Sequence, residues 1–341
     1  MSVSPISSIT RAATRDPDGP LNILTFPTHE RYETLLAKTG HNFYSYHAPG
    51  IKHWNTDYAE IPDNYMLLDE SLEGRQVPLS LDLDLILSQN KFGQFQIAHQ
   101  IADTLHLPMV SLEHTLPIPF WDQKMRTNLR NMRADANVFI SEYSIEGWNW
   151  DSKPDTLIIK HGVDSKSFKP EDLKKENHIL SVVNDWINRD WCCGFTIWQG
   201  VTKGLPVSVL GDTPGLSKPA SSFDKLVRAY QSSRIFLNTS TISPVPTSLL
   251  EAMACGCAVV STATCMIPEI IENGVNGFIS NDEEELKEML VELLNNEELA
   301  RKVGEQARKT ILEDFSEDRF VNEWNRVFDV VSKIPYTGRF K

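Results

Sequence analysis

The residues best suited to chemistry in this chain lie between Ser243 and Ser261, in the run Ser-Pro-Val-Pro-Thr-Ser-Leu-Leu-Glu-Ala-Met-Ala-Cys-Gly-Cys-Ala-Val-Val-Ser. Pro244 and Pro246 stop whatever precedes them, and Thr247 or Ser248 is a suitable N-cap. Residues 249–255 then read as a short apolar helix with Gly256 as its stop. Residues 257–261, centred on Val259 and Val260, are a compact apolar run of the kind buried on both faces of a parallel sheet. A helix start reached through a polar loop presents free N–H groups and the positive end of the peptide dipole, which favour a phosphate. Glu251 stands about one turn inside that helix. An ionised carboxylate only accepts hydrogen bonds, so it can take both hydroxyls of a ribose whose diphosphate rests at the helix end.

Other residues with chemical potential are scattered. Residues 108–112 read as a strand that runs into Glu113-His114-Thr115, and a histidine at the C-terminal end of such a strand sits where α/β sheets bind ligands. His29, just after a first strand at 21–26, reads as a capping or surface residue. Asp82 and Asp84 share one strand face, yet no third ligand is evident, so no metal site is expected there. Arg126, Arg130 and Arg133 follow the spacing of one helix face, which by default is solvated. The sharper alternative is an anionic acceptor, such as a phospholipid headgroup or a nucleic acid, meeting that face.

The elements that must position these groups alternate between strand and helix. Strands are expected at 21–26, 65–68, 83–88, 108–112 and 136–141, then at 178–183, 206–211, 234–238 and 257–261. Helical patterns occupy about 31–38, 96–105 and 223–231. Acidic surface helices begin at Asp282 and run to about 312, and residues 318–341 carry an apolar face of Phe320, Trp324, Phe328 and Ile334. Two strand–helix domains without a Gly-rich dinucleotide or P-loop motif imply an α/β protein with two doubly wound Rossmann-like sheets facing a cleft.

The 341 residues suffice for two domains with separate cores, and 41% hydrophobic with 23% charged residues is ordinary for a globular chain. No run of about 18 apolar residues is present, and 1–20 reads as a flexible leader without the apolar centre of a signal peptide. The five cysteines form no C-x-x-C pair and several lie in apolar surroundings, as free thiols in a reducing cytoplasm do. A net charge of −13 disfavours a polyanionic partner.

The segments Thr247-Ser-Leu-Leu-Glu-Ala-Met-Ala-Cys-Gly256 and Pro268-Glu269-Ile-Ile-Glu-Asn-Gly-Val-Asn-Gly277 resemble the donor-nucleotide region of family-4 glycosyltransferases with the GT-B fold. The run Leu157-Ile-Ile-Lys-His-Gly-Val-Asp-Ser-Lys-Ser-Phe-Lys-Pro170 is similar to that family's interdomain signature. The resemblance covers the second half well and the first more loosely. It implies a leader at 1–20, an acceptor-side domain at 21–170, a linker at 171–177, a nucleotide-sugar domain at 178–317, and a C-terminal helix in 318–341 returning to the first domain.

The resemblance also implies transfer from a nucleotide-diphosphate sugar, with retention and without a metal or other cofactor. Arg189 and His114 would be the catalytic groups. Glu251, Ser243, Thr247, Ser248, Pro246, Leu249 and Asp212 would surround the donor. The family has two glutamates seven residues apart, and Ser243 stands at the first position with Glu251 at the second. Asn184 replaces an arginine beside the diphosphate, no Gly-Gly loop follows the first strand, and Cys265-Met266 replaces a later Gly-Gly pair. These departures motivate one alternative, a nucleotide-sugar-binding protein that has lost catalysis. Another GT-B enzyme, such as a phosphorylase or epimerase, lacks a cofactor lysine motif or acidic pair to support it. The acceptor follows no legible pattern.

Overall fold

The computed structural model describes residues 19–78, 80–172 and 174–335. The expected leader lies almost wholly outside the described residues, as does the end of the expected returning segment. The chain divides into two compact units. Unit 1 holds the residues up to Ile140, Ile145–Lys160 and those from Phe320 onward; unit 2 holds Ser141–Ser144 and His161–Arg319.

Unit 1 is built on seven parallel strands: β1 (Asn22–Thr25), β2 (Asn42–Ser45), β3 (Tyr65–Leu67), β4 (Leu85–Ser88), β5 (Met109–Glu113), β6 (Ala136–Phe139) and β7 (Thr156–Ile158). Their order is β3-β2-β1-β4-β5-β6-β7. Every residue of β4, β5 and β6 is buried, as central strands covered on both faces require. The helices in order are α1 (Glu30–Ala37), α2 (Phe95–Leu105), α3 (Gln123–Arg130) and α4 (Glu142–Gly147), the last belonging to unit 1 only from Ile145. α2 turns Phe95, Ala98 and Ala102 inward, spaced as one helical stripe. The chain reverses direction across the sheet between β1 and β4, so the C-terminal ends of those two strands flank the topological switch point where such folds bind ligands.

Unit 2 has five parallel strands: β8 (Glu176–Val182), β9 (Val207–Leu210), β10 (Ser233–Asn238), β11 (Ala258–Ser261) and β12 (Phe278–Ile279), ordered β12-β11-β10-β8-β9. Its helices are α5 (Asp190–Cys193), α6 (Phe195–Thr202), α7 (Phe223–Ser232), α8 (Thr247–Ala254), α9 (Ile267–Ile270), α10 (Glu283–Asn295) and α11 (Glu297–Asp314). Here the switch point lies between β8 and β10. One core cluster joins Ile179, Ile235, Leu237 and Val260 of the sheet to Trp186, Trp198, Leu286 and Leu290. Arg308 of α11 donates to the carbonyls of Phe168 (2.6 Å), Ala254 (2.8 Å) and Ser165 (3.0 Å), fixing the Gly-Val-Asp connector against the end of α8. All five cysteines are free and buried.

The last helix, α12 (Glu317–Ser332), belongs to unit 1 from Phe320 onward. Phe320, Trp324 and Phe328 are fully buried. Trp324 donates its indole N–H to the Tyr32 hydroxyl at 3.1 Å, Phe320 meets Tyr32 edge-on at 5.2 Å, and Phe328 packs on Phe43 at 6.2 Å. Burial of each such side chain contributes roughly 1.5–3 kcal/mol, so unit 1 depends on a helix that follows unit 2 in the chain.

Candidate functional site

In unit 2 three loops leave the C-terminal ends of β8, β9 and β10, and hydrogen bonds lock them together. The Asp185 amide donates to the Asp212 carbonyl (2.6 Å), and the Asp212 amide donates to Asn184 Oδ1 (2.8 Å). Thr241 and Ile242 donate their amides to the Cys192 carbonyl at 2.9 and 3.1 Å, and Thr239 Oγ1 donates to the Gly194 carbonyl at 2.8 Å. Two glycines permit these close approaches. A Cβ on Gly194, at φ +65°, would lie 1.9 Å from the Thr239 carbonyl oxygen; one on Gly211, at φ +119°, would lie 2.1 Å from that of Val183.

α8 begins two residues earlier than the sequence pattern suggests. Pro246 occupies the N-cap position, without a side-chain cap, because its fixed φ of −69° suits a helix entry and its carbonyl accepts from Leu249 (3.0 Å) and Leu250 (3.4 Å). Neither Thr247 nor Ser248 is therefore the cap. Their amides fall in the first turn and have no hydrogen-bond partner among the described residues, as the opening N–H groups of a helix do. The Leu249 side chain is fully buried and its amide donates to the Pro246 carbonyl.

Glu251 is 5% exposed, one turn in from the open amides. Its Oε2 accepts the hydroxyl of the fully buried Tyr230 at 2.9 Å, which fixes the direction of the carboxylate. Tyr230 was not legible as a site residue, since it reads as one more apolar position on α7. Ser243 lies on the loop before α8. Cys265 holds φ +51°, a glycine-like conformation, at a place where the resemblance has glycine. Its thiol donates to the Thr241 carbonyl at 3.6 Å, tying the Ser243 loop to the turn before α9.

Arg189 is exposed in the loop before α5, and its guanidinium lies beside the Cys192 thiol. The Cys192 and Cys193 sulfurs are 3.6 Å apart; the Cys193 thiol's hydrogen bond, helped by the Arg189 charge, holds Cys192 down, while the same bond and burial push Cys193 up. Asp212 is exposed, with its main chain rather than its carboxylate engaged by the neighbouring loop. Asn184 is spent on that loop contact. The structure thus gathers Arg189, Asp212, Ser243, Thr247, Ser248 and Glu251 on the three linked loops and the helix that one of them opens.

In unit 1 His114 follows β5, with Nε2 3.1 Å from Gln89 Oε1 and its ring edge-on to Tyr32 at 4.5 Å. Gln89, fully buried, donates to Thr25 Oγ1 at 2.9 Å, and Thr28 Oγ1 reaches Gln89 Oε1 at 3.3 Å. Beside them Glu33 accepts from the Thr28 amide (3.3 Å) and the Tyr65 hydroxyl (3.2 Å). Burial pushes the Glu33 carboxyl up to about 7 and His29 down to about 4. Gln89 and Glu33 are switch-point residues that no spacing in the sequence marks.

The arginine face is not a free one. Arg126 donates to the carbonyls of Trp121 (3.1 Å), Pro119 (2.8 Å) and Ile118 (3.3 Å), and Arg133 stacks over Trp150 at 4.1 Å while bonding the Asp151 carbonyl. Of the three, only Arg130 has no hydrogen bond or ion pair among the described residues. Asp84 likewise has an internal task, accepting the Asn22 amide at 2.7 Å at the opposite edge of the sheet from His114.

Comparison with known proteins bears on the same region. Residues 219–310 match the family described as Glycosyl transferases group 1. The N-acetyl-alpha-D-glucosaminyl L-malate synthase of Bacillus anthracis is 35% identical over 93 residues, 27% of this chain and 24% of that protein. An uncharacterized glycosyltransferase of Haemophilus influenzae is 30% identical over 229 residues, 61% of this chain and 57% of its own length. This chain therefore spans from a quarter to little more than half of these curated relatives. Anabaena Alr3699/HepE, solved in complex with UDP-glucose, superposes with a TM-score of 0.71 at 15% identity, over 91% of this chain and all of that one. Among the described residues no helix is long and apolar enough to cross a membrane. Residues 219–310 thus resemble the glycosyl transferases group 1 family, and the chain has the GT-B fold.

Proposed function

We propose that this protein transfers a sugar from a nucleotide-diphosphate sugar to an acceptor, with retention and without a metal ion, in a reducing cytoplasm that suits its five free thiols. The observation that carries the reading is the start of α8: two open amides at Thr247 and Ser248, and one turn later a buried Glu251 aimed by Tyr230. The amides and Arg189 oppose the negative charge that grows on the departing diphosphate, and such preorganised donors contribute most where charge develops. Glu251 takes the ribose hydroxyls, Ser243 a sugar hydroxyl, and His114 the reacting sugar or acceptor. The complex of Anabaena Alr3699/HepE with UDP-glucose supports a uridine donor class.

A second reading, donor binding without turnover, is favoured by Asn184. Its side chain is committed to the Asp212 amide, where the resemblance has a cation, and Ser243 supplies no carboxylate. One experiment separates the two. The purified protein is screened against UDP-, GDP- and ADP-sugars for thermal shift and for diphosphate release, with Glu251→Gln as control. Stabilisation by one donor with slow release, both weakened in the variant, is the expected result. Stabilisation without release, acceptor mixtures present, establishes the second reading; no stabilisation by any nucleotide overturns both.

A further inference from the structure

We propose that unit 1 binds one divalent transition cation of the zinc type through His47, His53 and Glu70, and that the ion fastens the long β2–β3 connection to the turn that follows β3. The inference does not rest on the donor-site reading. His47 lies two residues beyond β2, His53 lies in the connection itself, and Glu70 opens a 3-10 turn at Glu70–Arg75. One donor atom from each of the three side chains lies within 4.8 Å of the other two.

Three independent features make this more than a chance cluster. First, His47 is held rigidly: its amide donates to Gln76 Oε1 at 3.0 Å and its carbonyl accepts Gln76 Nε2 at 2.6 Å, with Gln76 itself buried. Second, the His47 ring is 7% exposed, and its Nδ1 is buried without a hydrogen-bond partner among the described residues. A buried polar atom normally has a hydrogen-bond partner, and a bound ion would serve as one here. Third, the spacing fits. Ligand atoms at 2.0–2.1 Å from a tetrahedral ion are roughly 3.3 Å apart, and two imidazoles on one such ion have ring centres about 5 Å apart. Here His53 Nδ1 and Glu70 Oε2 are 3.6 Å apart, and the His47 and His53 rings are stacked with centres 5.2 Å apart and planes 12° from parallel, so the exposed His53 ring must turn to aim its lone pair at the ion.

Closing the remaining gap takes a small movement of His53 and Glu70, whose side chains are 66% and 64% exposed, while His47 stays in place. Two imidazoles and one carboxylate suit a borderline cation; magnesium and calcium demand oxygen-rich shells that this cluster does not offer. A water completes the tetrahedron. The connection is also anchored near α1, where Lys52 Nζ meets Glu30 Oε2 at 2.6 Å and the Asn55 amide donates to Glu30 Oε1 at 3.0 Å. The ion adds a second fastening on the other side of the loop.

The test uses the full chain, free of any histidine tag and stripped with chelator, titrated with Co2+ and followed by visible absorption. One equivalent is expected to give the intense bands of a tetrahedral cobalt centre, displaced by Zn2+ and not by Mg2+ or Ca2+. His53→Ala is expected to abolish the bands, and Glu70→Gln to weaken binding by about tenfold or more. Both residues are exposed, so both variants keep the fold. Absence of stoichiometric binding, bands that survive in His53→Ala, or displacement by Ca2+ would each overturn the proposal.

Discussion

Replacing Glu33 with glutamine isolates the cost of an ionised carboxylate at the unit 1 switch point. Glu33 is fully buried, and burial raises its carboxyl from 4.5 to about 7, although hydrogen bonds from Thr28, Gln89 and Tyr65 pull the other way. That displacement corresponds to roughly 3 kcal/mol. The folded-state value lies above the unfolded one, so the proton-linked stability is fully present below about pH 4.5 and is lost as pH rises through about 7. Glutamine is neutral at every pH; its one carbonyl oxygen can accept from the Thr28 amide while its NH2 donates to the Tyr65 hydroxyl oxygen.

The variant is therefore expected to match the parent within about 1 kcal/mol at pH 5 and to exceed it by about 2–3 kcal/mol at pH 8. His29 runs in the opposite sense: its value is depressed from 6.5 to about 4, so its contribution is present above 6.5 and lost as pH falls through 4. Glu33 is not among the charges that act on His29, so this term is common to both proteins and cancels in the difference. Urea denaturation at the two pH values, followed by circular dichroism and tryptophan fluorescence, measures it. A stability difference that is the same at pH 5 and pH 8 would show that the buried carboxylate is not penalised, and the electrostatic account of this region would fail.

Gly194→Ala forces a Cβ against the Thr239 carbonyl oxygen at a left-handed backbone position; a loss of at least about 1–3 kcal/mol is expected by thermal unfolding, together with loss of donor binding. Tyr230→Phe removes the hydroxyl that aims Glu251, and calorimetric titration with the identified donor is expected to show an affinity several-fold weaker, with stability lowered by about 1–2 kcal/mol. Trp324→Ala empties a fully buried site and is expected to cost about 3–5 kcal/mol in urea denaturation, against under about 1 kcal/mol if α12 only rests on the surface.

Most strands start within two residues of the expected places, from the fully buried β4, β5, β10 and β11 to the half-exposed β3 and β9. β2 and β12 were not visible, because Asn42–Ser45 and Phe278–Ile279 are too short for alternation to register and owe their existence to a neighbouring strand. The α8 start shows how local chemistry overrides a propensity rule, since a proline already set for a helix entry displaces Thr247 and Ser248 from the cap. Residue types at the donor loops were legible; their partners were not. Tyr230 reaches Glu251 from another helix, Gln89 reaches His114 across 25 positions, and both pairings exist only once the sheet has brought loop ends together. The arginine face misled for a related reason: spacing shows which way a side chain leaves its helix, not that Arg126 curls back onto the carbonyls before it.

The bond from Trp324 to Tyr32 spans 292 residues, with the whole of unit 2 between its ends. At a synthesis rate of about 5–20 residues per second, roughly 15–60 s separate the emergence of the two partners from the ribosome. Throughout that interval the nascent chain carries Tyr32 and Phe43 without the helix that covers them, while the residues of unit 2 emerge in one nearly unbroken stretch and are free to fold. Biogenesis of this protein thus runs against its chain order: the half made first is the half finished last, and holdase chaperones have their longest opportunity at its amino-terminal sheet.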